Sequence, residues 1–324
     1  MDKLLSIVIP VFNEGEHIKN SISVIRGFLE EIEINHEFVL VDDGSKDDTW
    51  MKICEMSEND KDVKGIRFSR NFGKEKALIA GLNEADGDGV LFMDSDLQHP
   101  PRYIKEMVKL WESGAEVVEG FKEDRGNESL VYRFVTNSFY RFSEKMTGIK
   151  FLNASDFRLL DRKVILALRE MTENEPFFRG MSQWVGFKKE SFGFKVDDRT
   201  EGRSKWSMKA LSRLAVNSII SNSDKPLKFN FAVSAIFAML SLVSFVFVVI
   251  ALVKNTVTPA LICVLILLTV AAILFFNMGI IGLYITKIFN EVNGRPRYII
   301  SDKVSANNAG KDTAKNSVKT SEEQ

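Results

Sequence analysis

The sequence predicts a doubly wound α/β domain on a mostly parallel sheet, followed by amphipathic interface helices and a two-helix transmembrane hairpin. Three observations carry this. Short apolar runs alternate with segments of helical periodicity over residues 4–118, the pattern of a parallel sheet covered on both faces. Lys254 is the sole charged residue between Phe229 and Thr286, in a chain that is 27% charged overall. Acidic and polar clusters fall at the ends of the apolar runs, where open α/β sheets bind ligands.

Leu4–Pro10 (LLSIVIP) reads as a strand buried on both faces. From Glu14 to Ile32 the apolar residues Ile18, Ile22, Ile25 and Leu29 recur at helical spacing. Phe38–Val41 is the second strand, with a helix over Asp48–Met56. Val63–Phe68 is the third, with a helix over Lys74–Glu84. Val90–Met93 is the fourth, with a helix over Pro101–Trp111, and Val117–Val118 marks a fifth.

The runs 229–253 and 260–286 each exceed the roughly 20 apolar residues that span a bilayer, and they lack the polar face of a core helix. Only residues 254–259 separate them, so they form a hairpin. Met-Asp-Lys leads directly into the first strand, so neither run is a signal peptide. Lys225 and Lys228 precede the first span; Lys287, Arg295, Arg297 and Lys303 follow the second. The positive-inside rule places both ends, and with them the soluble half and both termini, in the cytoplasm at the inner (plasma) membrane. Asn277, Gly279 and Gly282 suit helix–helix packing, within the hairpin or between subunits. Leu130 to Met146 and Met208 to Ile220 are amphipathic and cationic, as in helices that lie in the headgroup plane. The expected division is a soluble domain over 1–206, a juxtamembrane helix over 207–228, spans over 229–286, and a C-terminal segment over 287–324. That last segment is polar and expected to be disordered after about 301.

Lys and Arg number 43 against 44 Asp and Glu, which excludes a nucleic-acid partner bound through bulk positive charge. Two cysteines, Cys54 and Cys263, and three scattered histidines give neither a disulfide framework nor zinc spacing. No dinucleotide fingerprint follows the first strand, and no phosphate-binding G-x-x-x-x-G-K-[ST] occurs. What the strand ends do carry is Pro10-Val11-Phe12-Asn13-Glu14, Asp42-Asp43-Gly44-Ser45 and Asp94-Ser95-Asp96-Leu97-Gln98. Asp94 and Asp96, alternate residues on an extended turn, can aim two carboxylates at one divalent ion. Hard oxygen ligands of this kind suit Mg²⁺ or Mn²⁺.

With these motifs in order, the chain resembles the family 2 glycosyltransferases, and within them the polyprenyl-phosphate branch. The matching stretches are IVIPVFNE (7–14), VDDGSKDDT (41–49), RNFGKEKAL (70–78), MDSDLQHPP (93–101), ASDFRLLDR (154–162), FFRGMSQWVGF (177–187), RTEGRSKWS (199–207) and GRPRYII (294–300). Relatives often carry Arg where Lys122 stands and Glu where Leu283 stands. The Q-x-x-R-W of processive polysaccharide synthases is missing around Gln183-Trp184.

The resemblance implies a glycosyltransferase A-type fold and inverting transfer of one sugar from a nucleotide-sugar to polyprenyl (undecaprenyl) phosphate. UDP-glucose is the favoured donor, with UDP-N-acetylglucosamine, UDP-galactose and GDP-mannose as alternatives. Pro10, Phe12 and Glu14 would line the nucleoside pocket, with Asp43 or Asp42 on the base. Asp94, Asp96 and Gln98 would hold the metal, which neutralises the leaving diphosphate. Asp156 would serve the acceptor, with Asp96, as a catalytic carboxylate. Lys122, Arg125 and Arg133 would hold the acceptor phosphate, and Arg199 and Lys205 the diphosphate. Gly202 would let the latter loop close as a lid. A homotetramer and a separate flippase are the implied partners. Two other classes compete. A lipid-linked sugar transporter would carry charge inside its spans, and an inactive scaffold would not keep Asp94, Asp96 and Asp156.

Overall fold

The computed structural model describes residues 3–122, 154–194 and 259–306, together with six isolated positions between Ile236 and Ile250. The chain divides into two units, one of residues 1–137, 150–204 and 296–324, the other of 138–149 and 205–295.

The first unit is built on an eight-stranded sheet of order β7-β5-β6-β4-β1-β2-β3-β8. Its strands are β1 (Leu4–Val11), β2 (Asn35–Asp42), β3 (Val63–Phe68), β4 (Gly89–Phe92), β5 (Val117–Lys122), β6 (Ala154–Asp161), β7 (Lys189–Phe194) and β8 (Ile300–Ser305). Between them lie α1 (Ile18–Glu31), α2 (Thr49–Asn59), α3 (Lys74–Glu84), α4 (Ile104–Glu112), α5 (Arg162–Glu170) and α6 (Phe178–Trp184). Alternating side chains of each strand serve opposite faces. Leu5, Ile7 and Ile9 pack with α1 and α4 on one side, and Val8, Val39 and Val41 with α3 and α5 on the other. Full burial contributes about 1.5–3 kcal/mol for each such side chain, which is why these runs read as continuously apolar.

β1 pairs in parallel with both β2 and β4. The chain winds from β1 outward to β3, then crosses by α3 to β4 on the far side of β1. That reversal opens a crevice beyond the carboxyl ends of β1 and β4. All five strands expected from the sequence form, with bounds shifted by a few residues.

The expected mostly parallel sheet forms, with four of the seven strand pairings among the described residues parallel. It is mixed, because β6 runs antiparallel between β4 and β5, and β8 antiparallel to β3. β6 carries Asp156 and Arg158, so it lacks the apolar signature of the parallel strands. One expectation is corrected. The C-terminal segment stays ordered past residue 301 as β8, through Ser305. Pairing with β3 supplies its backbone partners. Tyr298 stacks on Phe68 at 4.9 Å, and its hydroxyl oxygen accepts from Asn83 Nδ2 at 3.0 Å. Lys303 reaches Glu84 at 2.5 Å.

α3 lies close on the sheet. A Cβ at Gly81 would come 2.2 Å from Val8 Cγ1. Gly81→Ala therefore forces the helix off β1, and the expected result is a loss of about 1–3 kcal/mol, read as a lower unfolding midpoint of the solubilised protein.

In the second unit, α7 (Pro259–Val292) is 34 residues long. Among the described residues it is the one helix long and apolar enough to cross a membrane, over Thr269–Val292. The expected second span lies within it. Of the expected first span, Ile236, Met239, Val243, Val246, Val249 and Ile250 are described, each helical and exposed; the remainder, and both amphipathic stretches, lie outside the described residues.

Candidate functional site

Strands β1, β2 and β4 end in turns that border one cavity. After β1 the chain turns through Asn13, whose φ of 54° is left-handed. Its amide donates to Ser45 Oγ at 2.9 Å, and its side chain accepts from Lys46 N at 2.9 Å. After β4, Leu97 is also left-handed, with φ 56°, and Gln98 N donates to Asp96 Oδ1 at 3.1 Å. A non-glycine residue in that region is strained by about 1–2 kcal/mol. Two of the three such residues among those described flank this crevice.

A cavity of about 430 Å³ fills the crevice, lined by Pro10, Phe12, Glu14, Asp43, Lys74, Asp94, Asp96 and their neighbours, a size suited to a small-molecule ligand. Asp43 borders it, with its carboxylate accepting from the amides of Phe72 (2.6 Å) and Gly73 (2.9 Å). Burial raises the Asp43 pKa above the ordinary carboxylate value, against those two bonds. Asp42 is fully buried instead and takes a structural role. Its Oδ1 accepts from Ser45 N at 2.8 Å, and Arg67 Nε lies 3.4 Å from its other oxygen. Gly73, at φ 101°, makes the turn that starts α3 and places Lys74 at its first residue.

Lys74 links two carboxylates. Its Nζ lies 2.5 Å from Asp94 Oδ1 and 2.9 Å from Asp156 Oδ2. Asp156, on β6, is 7% exposed and is also held by Arg179 Nε of α6 at 2.6 Å. Burial alone would raise the Asp156 pKa; Arg179 and then Lys74 outweigh it and hold the carboxyl well below its ordinary range. Burial opposes the Lys74 ammonium too, but Asp94 and Asp156 reverse this and raise its pKa. The Asp94 carboxyl is likewise penalised by burial, yet lowered by Lys74 and His99. Glu75, next to Lys74 in α3, is pushed up by burial and by Asp156, and accepts from Phe178 N at 2.7 Å.

Arg158, two residues along β6 and therefore on the same face as Asp156, is 1% exposed. It pairs with Glu119 of β5 at 2.5 Å and bonds Ser182 of α6. Arg158 thereby fixes α6, and with it Arg179, against β5 and β6. Breaking one partner of such a buried pair costs about 3–5 kcal/mol.

Asp94 and Asp96 share the cavity wall, and their hard oxygens fit a divalent cation. Among the described residues no set of three acidic, histidine or cysteine side chains is placed to hold a metal, although His99 Nδ1 lies 3.9 Å from Asp94 Oδ2, so a cation there would draw further oxygens from a ligand. Gln98 stands off the cavity lining, and its Nε2 is buried without a hydrogen-bond partner among the described residues. Lys122 ends β5; Arg125, Arg133, Arg199, Gly202 and Lys205 lie outside the described residues. The sequence alone gives no role to Lys74 or Arg179, although both stand within stretches that carry the family resemblance (70–78 and 177–187). The available signal was a basic residue in each stretch, close in the fold to the acids of 94–96 and 156.

Residues 6–168 match the family model "Glycosyl transferase family 2". The SfII prophage-derived bactoprenol glucosyl transferase of Shigella flexneri is 33% identical over 91% of this chain and 97% of its own length. A prophage bactoprenol glucosyl transferase homolog of Escherichia coli K12 is 32% identical over 91% and 98%. The glucosyl-3-phosphoglycerate synthase of Mycobacterium tuberculosis, solved with Mn²⁺, UDP and phosphoglyceric acid, shares the fold. It superposes with a TM-score of 0.50 at 20% identity, covering 68% of this chain and 78% of that one.

Proposed function

The chain belongs to glycosyl transferase family 2, and from that membership we propose that it moves a single sugar from a nucleotide-sugar to polyprenyl phosphate at the cytoplasmic membrane face. In this reading UDP-glucose is the first donor to try, the anomeric centre inverts, and Mg²⁺ or Mn²⁺ assists. The observation that carries it is one cavity receiving groups from three strand ends, with Lys74 running from its wall to the buried Asp156. The bactoprenol glucosyl transferases aligned over nearly the whole chain support the donor and the acceptor.

Phe12, 41% exposed at the cavity wall, offers a ring to the nucleoside base, and Asp43 an acceptor to its edge. Asp94 and Asp96 would hold the cation, which when bound supplies positive charge to the departing diphosphate. The acceptor phosphate monoester loses its second proton near pH 6, so its oxygen arrives already anionic and needs no strong base. Asp156, with its lowered pKa, is a weak base suited to another task. It anchors Lys74 and Arg179, which in turn can receive an anionic oxygen.

The membrane hairpin is supported by β8. Strands β1 to β7 precede residue 229 and β8 follows residue 299, yet all belong to one sheet. A chain that leaves and rejoins the same sheet crosses a bilayer an even number of times. Two crossings, the second being α7, satisfy that count.

The test incubates membranes containing the protein with undecaprenyl phosphate and labelled UDP-glucose, UDP-N-acetylglucosamine, UDP-galactose or GDP-mannose. Expected is one sugar per lipid phosphate by mass, from one donor, lost with EDTA and restored by Mn²⁺. Failure of every donor in both metals overturns the reading.

A further inference from the structure

Lys74 occupies a position that physical chemistry disfavours twice. It is the first residue of α3, where aligned peptide dipoles already carry partial positive charge, and desolvation in the crevice works against its ammonium even though the side chain as a whole is 42% exposed. What compensates is the pair of carboxylates at 2.5 and 2.9 Å. One of them, Asp94, is also half of the two-carboxylate set that fits a divalent cation. An ammonium seated on Asp94 Oδ1 and a dication bound to the same carboxylate repel each other strongly at such separations.

We propose that Lys74 is a positioning residue that competes with the divalent cation for Asp94, so that cation binding drives the ammonium off Asp94 and leaves it on Asp156. This rests on the transfer reading above and adds a coupling to it. The ammonium stays associated with Asp156 and gains freedom to meet the acceptor phosphate when the donor-side charge is in place. Cation affinity without nucleotide is then low, because the cation must displace Lys74 and, among the described residues, has only Asp94 and Asp96 to offer it side-chain carboxylates. A diphosphate, which brings oxygens of its own, raises that affinity.

The test titrates Mn²⁺ into the full-length solubilised protein without nucleotide, following free Mn²⁺ by electron paramagnetic resonance. Lys74→Met is expected to bind Mn²⁺ at least about tenfold more tightly than wild type, since a charge-assisted hydrogen bond no longer opposes the ion. Lys74→Arg, which keeps the charge, is expected to stay near wild type. Lys76→Met controls for general charge, because the Lys76 ammonium pairs with Glu175 at 3.4 Å and is expected to leave the affinity unchanged. Should Lys74→Met fail to fold, Lys74→Gln carries the same comparison. Equal affinity in wild type and both neutral variants overturns the competition, as does an equal gain in Lys76→Met. Sugar transfer by wild type, measured in parallel, separates the two ideas. An active wild type with no Lys74 effect sinks the competition alone, and an inactive one sinks the transfer reading.

Discussion

Asp94→Ala is expected to abolish lipid-linked product while leaving the protein folded. The carboxylate faces the cavity beside Asp96 and, without a cation, accepts the Lys74 ammonium, so its loss removes a cation ligand. Loss of one preorganised electrostatic contact to a transition-state charge costs about 10²–10³-fold in turnover, and the weakened cation site is that contact. Lys74 keeps Asp156 as a partner at 2.9 Å, which limits the damage to the fold. Labelled sugar in the lipid fraction measures the effect, with circular dichroism to check folding. Asp96→Ala is the companion. Its carboxylate bonds the Gln98 amide and lies on the surface side of the turn, so its loss is expected to be silent structurally and severe catalytically. Transfer that survives Asp96→Ala would remove the metal from the mechanism.

Asp156→Asn is expected to lower kcat by about 10²–10³-fold, the usual cost of losing one preorganised electrostatic contact, with donor KM nearly unchanged. The split follows from position, because Asp156 lies outside the cavity lining and reaches it through Lys74. Asparagine keeps the shape but not the charge that orients Lys74 and Arg179. A donor KM that rises in step with the loss would move Asp156 to the donor side. The same carboxyl is held well below its ordinary pKa, so it is ionised throughout pH 5–8 and contributes no acid limb to the rate profile there. A depressed carboxylate pKa stabilises the fold above the unfolded value near 3.9, and that contribution is lost only as pH falls toward the folded value. Acid sensitivity from this group therefore belongs below about pH 4.

The parallel half of the sheet was legible because burial on both faces demands unbroken apolar runs, as at Ile7–Ile9 and Val39–Val41. The strand-end acids stood out against those runs for the same reason. β6 escaped because its buried polar pair, Asp156 and Arg158, is tolerated only through partners distant in sequence, such as Arg179 and Glu119. β8 escaped because an edge strand with one exposed side can be polar, and ISDKVS reads as tail. Lys74 and Arg179 carry no local pattern; their meaning comes from α3 and α6 converging on β6. Asp42 and Asp43 were indistinguishable as adjacent letters, and the alternation of a strand end, which sends one inward and the other to the cavity, separates them.

The return of the chain to β3 makes the soluble fold discontinuous. The hydrophobic region is an insertion between the seventh and eighth strands, where sequence order alone would make it a trailing anchor. A fragment cut ahead of residue 229 would discard a strand of its own sheet, the ring against Phe68 and the cation on Glu84, and would bare the β3 edge to other chains. A workable water-soluble version would excise the insertion and splice residues 296–306 back through a short flexible loop, so that the sheet closes as it does in the intact molecule.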